Sequence, residues 1–551
     1  MHTKAIVPLI LLSISFTFTL DIFISLSSPF FTLWTPTGDL LLKICNVLRT
    51  FLFGRPLERI QKLAEEKPDK IAMVMYHSKD ERYEITRKEL YKKSLQFAQV
   101  LIKLGIKKGD RVAYCVSNCI NWMVYDVGIM MAGAVSVHLL MGSADVKVTL
   151  TDCVMVILDS KERWDNFIGV AEIHPGGKVS CNECLSLKLA MAVDPMNRPA
   201  NALLASELMA EIEDGNCSKL SQLPVLNPED IALINQTSGT TGIPKKVTHT
   251  HFNVVNNFTI YNIISKFHAD DIVYSNRPMA YVGGYPMFYL GNGCTTVTGD
   301  VRFLNDPANN DFLVSMWKKE KCSIILMLPQ FIKSIRDYGF RTRFIVSGGD
   351  MITEEMIRHS FVFTDAFSMT YGSTETMTCV QEIFTKENIS EHQQGMLGRP
   401  FPGMETKIID EKEEVVEMGK VGTLCIRNVW NTKGYDGNLV TPIKNGWFHT
   451  NDLCYMQSNG RILMTGRKSG FIIKGTVKMS ILLIEDYVGS HPDVEQVVVV
   501  GVPDSRFGED ICACVRIASG RFSYLSIYLS IYLSIYLSIY LTPIYLSNLS
   551  I

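Results

Sequence analysis

The chain runs to 551 residues, 47% hydrophobic and 20% charged, with a formal net charge of −2. That length holds roughly two to four domains with large cores, and the composition is ordinary for a globular protein. A near-neutral balance offers no basic field to DNA or RNA, so no nucleic-acid partner is expected. Of fourteen cysteines, only Cys181 and Cys184 have metal-like spacing. No second pair completes a zinc site, which points to plain thiols in a reducing compartment.

Ala5 to Leu20 carries no charge, follows Lys4 and ends at Asp21. It is short for a membrane helix, which needs about 20 apolar residues, and no small-x-small cleavage site follows it. Arginine is absent before Arg49, which does not suit a mitochondrial presequence. Residues 1–50 are therefore expected to be an apolar anchor, a targeting segment or a segment foreign to the mature protein, and residues 5–33 offer a membrane tether.

From Phe51 the pattern alternates. Leu57, Ile60, Leu63 and Ala64 predict a helix over Leu57–Glu66, and Ile71–Tyr76 reads as a buried strand. Thr86–Leu104 is a long amphipathic helix ending near Gly105. Val112–Val116 and Val154–Leu158 read as strands on either side of an apolar helix, Trp122–Ala134. Further strands are expected at Ile324–Met327 and Phe344–Val346. Such alternation predicts an α/β fold with parallel sheets covered on both faces. Strands crowd together near Thr406–Asp410 and Gly422–Arg427, as in a small β subdomain. Beyond a junction at Arg467–Gly470 come a short βα unit and then helix end, strand, loop and strand over His491–Ile517. Tyr524 to Ile539 repeats Tyr-Leu-Ser-Ile, which is what a four-base DNA repeat would encode. As protein, this uncharged alternation is prone to β-aggregation.

The most specific feature is Thr237-Ser238-Gly239-Thr240-Thr241-Gly242-Ile243-Pro244-Lys245, which follows the strand-like Ile231–Ile234. Its glycines let several backbone N–H groups face one anion. Hydroxyls add donors and Lys245 adds positive charge, so the segment suits the β- and γ-phosphates of a nucleotide. It is not a Walker loop, because no Gly-Lys-Thr opens a helix. Asn235-Gln236-Thr237 is a glycosylation sequon overlapping this loop. A glycan there would block the site, so an intracellular location is expected, with cytoplasm, mitochondrion and peroxisome left open.

On this loop the chain resembles the adenylate-forming enzymes, which include acyl-CoA synthetases, coumarate–CoA ligases, firefly luciferase and peptide-synthetase adenylation domains. The resemblance extends from about Phe51 to Gly520. It implies a large domain of two doubly wound sheets plus a small β subdomain (51–467), a partial α+β C-terminal domain (468–520) that is truncated, and the repeat tract (521–551). Tyr371-Gly372-Ser373-Thr374-Glu375 is similar to the family's second signature: the tyrosine would lie on adenine, Thr374 would meet the α-phosphate and Glu375 would hold Mg²⁺. Ser347-Gly348-Gly349-Asp350 resembles the segment along the adenine edge, with Asp350 where a small residue is usual. Gly446 to Asp452 resembles the loop whose aspartate grips the ribose hydroxyls, with Asn451 in place of a glycine. Gly466-Arg467-Lys468-Ser469 resembles the hinge between domains, Arg467 reaching the ribose or phosphate. Lys474-Gly475 resembles the loop lining the thiol tunnel. Tyr281, Gly283 and Gly284 stand where relatives shape the acid pocket, and their apolar setting suits a fatty or aryl acid.

The resemblance implies a ligase that joins a carboxylic acid first to AMP, from ATP and Mg²⁺, and then to coenzyme A. Thr374, Glu375 and Lys245 would be the catalytic residues. The wording near Gly466–Lys474 looks closest to medium-chain fatty acid–CoA ligases. The family's late Pro-x-Thr-x-Ser-Gly-Lys setting does not occur. The rival expectation is accordingly a catalytically impaired protein that binds ATP or acyl-adenylate.

Overall fold

A computed structural model of the chain describes residues 56–139, 150–212, 223–237, 245–336, 339–437, 441–468, 470–474, 477–489, 491, 494–504 and 508–517. The apolar N-terminal segment and the Tyr-Leu-Ser-Ile tract lie outside these residues. The chain divides into two compact units. The larger holds the described residues up to Lys420 together with Leu424–Thr450 and Tyr455–Leu463. The smaller takes Val421–Thr423, Asn451–Cys454 and the residues from Met464 on.

Two sheets build the larger unit. In the first, Lys245–Thr250, Ile231–Thr237, Val135–His138, Arg111–Cys115, Cys153–Leu158 and Leu189–Ala192 lie side by side, followed by Lys178–Ser180 and Glu172–His174. From Ile231–Thr237 to Leu189–Ala192 every pairing is parallel. Strands at the centre, such as Cys153–Leu158, are buried along nearly their whole length. This is why that strand reads as a continuous apolar run, since helices cover both faces of a parallel sheet; Val135–His138 is buried throughout although serine and histidine interrupt its valines.

The second sheet runs from Arg82–Thr86 through Ile71–Tyr76, Thr295–Gly299, Ile272–Ser275, Ile324–Leu326, Thr342–Gly348 and Thr364–Ser373 to Met377–Phe384, and continues beyond it with Met396–Pro400. Its interior pairings are parallel. The Arg82–Thr86 and Met377–Phe384 pairings are antiparallel. The doubly wound α/β architecture expected from the sequence is thus present, with hairpins added at the flanks.

Local chemistry sets the element ends. Thr86 caps the helix Arg87–Lys103 through a reciprocal capping box with Glu89, which satisfies two first-turn N–H groups. The apolar helix stops at Met131, shorter than the expected Trp122–Ala134, because Gly133 takes a left-handed φ of 77°. All ten of its residues are buried, Asp126 included, as expected for a largely apolar helix in a core.

The smaller unit carries a four-stranded sheet in the order Val477–Ser480, Phe471–Lys474, Gly508–Ile517, Val494–Asp504, with the helix Ile481–Gly489. Its core is Ile472, Ile484, Val488 and Val499. The expected βα unit after the junction is a β-hairpin followed by that helix.

Candidate functional site

The phosphate-loop motif is the tip of a hairpin. Ile231–Thr237 pairs antiparallel with Lys245–Thr250, and Thr237 stands opposite Lys245. The two ends of the nine-residue motif are therefore held on one rung, with Cα atoms about 5 Å apart. Ser238, Gly239, Thr240, Thr241 and Gly242 lie outside the described residues. Asn235, two residues before the rung, is buried, and its Nδ2 donates to Ala280 O at 2.9 Å. A side chain so held is no glycan acceptor in the folded chain.

A distant segment braces the returning strand. Thr432 Oγ1 donates to Thr248 O (2.7 Å), Thr248 N to Gly434 O (3.1 Å) and Asp436 N to Lys246 O (2.8 Å). This pairing places Tyr435 opposite Val247, on the strand that leaves the motif. The Lys245 ammonium sits 5.4 Å from the Tyr435 ring centre, within cation–π range. The Tyr435 hydroxyl donates to Glu375 Oε1 at 2.8 Å, and Thr432 N donates to Glu375 O at 2.8 Å. Lys245 and Glu375, 130 positions apart in sequence, thus meet on one tyrosine. Burial, and then the neighbouring carboxylate, push the Tyr435 phenol far above its usual pKa. It stays protonated as a donor. Nothing in the sequence around Lys433-Gly434-Tyr435 marked this residue.

Glu375 owes its position to a second hairpin. Thr364–Ser373 turns through Thr374–Thr376 into Met377–Phe384. Ser373 N donates to Thr376 Oγ1 (3.1 Å) and Thr376 N to Ser373 Oγ (3.2 Å), closing the turn. Gly372 is obligatory here: a Cβ would fall 1.9 Å from Met377 O. Thr374 and Glu375 occupy the partly exposed tip. Below them His249 is fully buried, and that burial lowers its pKa to about 4, against a smaller raising contribution from the Thr374 backbone.

The adenine-edge segment ends a neighbouring strand. Gly348 pairs with Thr370, and Thr370 Oγ1 donates to Ser347 O at 3.1 Å. Gly349 follows at φ 91°, exposed, with open space where a side chain would be. Gly349 and Tyr371 therefore lie at the carboxyl ends of adjacent parallel strands, the crevice where open α/β sheets bind ligands. Asp350 points to solvent and accepts from Met351 N.

The acid loop lies over a buried polar cluster. Its turn is closed by Gly284 N and Tyr285 N, which donate to Tyr281 O at 2.9 and 2.8 Å. Tyr281 is 47% exposed. Beneath it Asp126 accepts from Tyr285 (2.6 Å) and Ser136 (2.6 Å) and meets His138 Nε2 (2.8 Å). The Asn235–Ala280 bond fastens this loop to the strand that leads into the phosphate motif. Gly283 and Gly284 lie in close quarters, where a Cβ would meet Arg277 Nη1 at 2.6 Å and Pro278 O at 2.1 Å respectively.

In the smaller unit, Asp452 is buried and accepts from Arg467 Nε at 2.9 Å, while the rest of the arginine is largely exposed. The two residues expected to hold ribose are thus neighbours. Asn451 has φ 64°. The backbone there needs the left-handed region, which explains how asparagine can take the place of a glycine. Lys474 ends the strand Phe471–Lys474 opposite Val477. Ser469 and Gly475 lie outside the described residues.

Among the described residues no group of three or more His, Cys, Asp or Glu could hold a metal by itself. Glu375 offers one carboxylate. That fits Mg²⁺, which takes one or two protein carboxylates and completes its shell with water and phosphate oxygens. No helix among the described residues is long and apolar enough to cross a membrane, and residues 5–33 lie outside them.

The model of the AMP-binding enzyme family matches residues 60–436, and that of the AMP-binding enzyme C-terminal domain matches residues 483–527. The chain belongs to the AMP-binding enzyme family. It is 26% identical over 496 residues to the mitochondrial medium-chain acyl-CoA ligase ACSF2 of Rattus norvegicus, covering 84% of this chain and 79% of that protein. It is 25% identical over 468 residues to the medium-chain fatty-acid–CoA ligase of Escherichia coli K12, covering 83% and 80%. Among solved structures, the anthranilate–CoA ligase AuaEII with anthranoyl-AMP superposes with a TM-score of 0.72 at 18% identity, covering 86% of this chain and 89% of that one. The o-succinylbenzoate–CoA synthetase of Bacillus subtilis with its acyl-adenylate gives 0.70 at 20% identity, covering 88% and 92%.

Proposed function

We propose that this chain is an ATP-dependent acid–CoA ligase acting through an acyl-adenylate. In the first half-reaction a carboxylate oxygen of the acid attacks the α-phosphorus of ATP, and the bond to pyrophosphate breaks. In the second, the CoA thiolate attacks the acyl carbonyl carbon, the acyl–phosphate C–O bond breaks, and AMP leaves. The observation that carries this reading is the meeting of Lys245 and Glu375 on Tyr435 beside the Thr237–Lys245 rung. A cation and a metal-binding carboxylate brought close together are what a bound triphosphate requires.

In this reading Thr237, Ser238, Gly239, Thr240, Thr241, Gly242 and Lys245 hold the phosphates. Tyr371, Gly372 and Gly349 frame the adenine, Thr374 donates to the α-phosphate, and Asp452 with Arg467 binds ribose. Glu375, oriented by the Tyr435 hydroxyl, is the residue that would hold Mg²⁺, whose charge would neutralise phosphate oxygens. Ser469, Lys474 and Gly475 serve the hinge and the CoA path. Tyr281, Gly283 and Gly284 shape the acid site, and the names of the curated relatives favour a medium-chain fatty acid. ATP and CoA are intracellular cosubstrates, which supports a location inside the cell.

The test is to incubate the full chain with ATP, Mg²⁺, CoA and octanoate and follow products by mass spectrometry. Octanoyl-AMP without CoA, and octanoyl-CoA plus AMP with it, are expected. ADP as the nucleotide product would overturn the adenylate route.

A further inference from the structure

Arg277 stands just beyond the strand Ile272–Ser275, at the carboxyl end of the second sheet. Its Nη2 donates to Met327 O (3.3 Å) and Gly348 O (3.0 Å). Met327 follows the strand Ile324–Leu326, and Gly348 ends the strand Thr342–Gly348. The guanidinium therefore lies across the carboxyl ends of three adjacent parallel strands, next to Gly349 and inside the crevice that binds ligands in such sheets. Its Nη1 abuts the acid loop at Gly283, where any side chain would collide with it.

The chemistry of this arginine is incomplete. Nε is buried without a hydrogen-bond partner, and among the described residues no carboxylate pairs with the group. The fully buried arginines are answered differently, although Arg87 shares an unpartnered Nε. Arg461 meets Glu382 and Glu391. Arg163 meets Asp159. Arg87 and Arg59, away from the site, rest on the carbonyls of Gly293, Leu290 and Gly291 around the end of the helix Met287–Asn292, where the helix dipole favours a cation. Arg277 has no such helix end. Desolvation lowers its pKa to about 10, so it remains charged at neutral pH. The residue is partly exposed with Nε shielded, and a partly desolvated cation without a carboxylate favours an anionic partner.

We propose that Arg277 receives a second anionic group on the acid, so that this ligase activates dicarboxylic acids, one carboxylate reacting while the other is held by the guanidinium. The inference rests on the ligase reading. It refines the expectation of an apolar acid site: the walls are apolar, but a cation lies at the base of the loop.

The experiment pairs octanedioate with octanoate, hexanedioate with hexanoate and butanedioate with butanoate. Each acid is assayed with the wild-type chain and with Arg277→Met, which keeps most of the bulk without donors, and Arg277→Gln, which keeps an uncharged N–H donor group. Binding of each acid in the presence of ATP is followed separately by calorimetry. The wild type is expected to favour the diacid, and Arg277→Met to cut the diacid-to-monoacid ratio of kcat/KM by about 10- to 100-fold, the effect of a lost charge-assisted bond. Arg277→Gln should fall between them. Equal losses for both acids, or a wild type indifferent to the second carboxylate, would overturn the assignment while leaving the ligase reading standing. Diacid binding that depends on Arg277 without AMP formation would uphold the arginine and overturn the ligase reading.

Discussion

The nucleotide end and the acid end of the larger unit are built on the same strand yet express their chemistry differently. The strand Ile231–Thr237 leads into the phosphate motif at Thr237 and ties the acid loop at Asn235. At the nucleotide end, the candidate residues fall in two contiguous motifs, Thr237–Lys245 and Tyr371–Glu375. At the acid end, the candidates are single side chains separated in sequence, Tyr281, Tyr285, Asp126 and Arg277, brought together only by packing. A triphosphate is the same for every member of such a family and the acid is not, so motif density tracks ligand constancy.

The largest effect that separates the two ends comes from removing charge at the first. Lys245→Ala and Glu375→Gln should each slow pyrophosphate release by about 100-fold or more whatever acid is supplied, the usual cost of one preorganised charge at a phosphoryl centre. Pyrophosphate release unchanged in Lys245→Ala would remove that residue from the phosphate site. Next comes Gly372→Ala. With its Cβ 1.9 Å from Met377 O, the hairpin must distort, and thermal unfolding should show a loss of about 3 kcal/mol or more. An alanine variant of native stability would show that the turn is free to relax.

The support beneath the nucleotide end also has a pH signature. His249 is buried neutral with a pKa lowered to about 4 from its ordinary 6.5. The unfolded chain therefore binds the proton first. Stability is complete above pH of about 6.5 and declines toward pH 4, by up to about 3 kcal/mol from this group. The slope of unfolding free energy against pH in that window should flatten in His249→Gln; an unaltered slope would place the lost protons elsewhere. Smaller still, Tyr435→Phe keeps the ring beside Lys245 but drops the bond to Glu375, and should cost about tenfold in kcat/KM. At the acid end, Tyr281→Ala should alter the ranking of acids a few-fold, as expected for one partly exposed wall residue, while leaving KM for ATP in place. A shift in ATP KM instead would mean that the two ends are not separable.

The candidate nucleotide residues could be proposed from sequence because Thr237–Lys245 and Tyr371–Glu375 are each contiguous: the first has the composition of an anion-binding loop, and the second gains meaning from the family resemblance. Many strands and helices of the larger unit were readable for a related reason: buried parallel strands such as Cys153–Leu158 and largely apolar helices such as Trp122–Met131 leave local signals, whereas Val135–His138, in which serine and histidine alternate with valine, left none. Tyr435 was not readable, because its place depends on backbone pairing of 432–436 with 246–248, and no local pattern encodes that partner. Arg277 was hidden for the same reason. An arginine before a proline looks like any loop cation until the carbonyls of Met327 and Gly348 are seen to surround it. Asn451 shows the converse: a departure from the expected glycine that the backbone accommodates at φ 64°.

The central claim is that this chain adenylates a carboxylic acid before transferring it to CoA, and acid-dependent exchange of labelled pyrophosphate into ATP tests it most directly. The account predicts exchange by the full chain that requires both Mg²⁺ and an acid, needs no CoA, and collapses in Lys245→Ala and Glu375→Gln. ATP binding with no exchange across mono- and dicarboxylic acids would contradict it and leave a nucleotide-binding protein that does not form the adenylate.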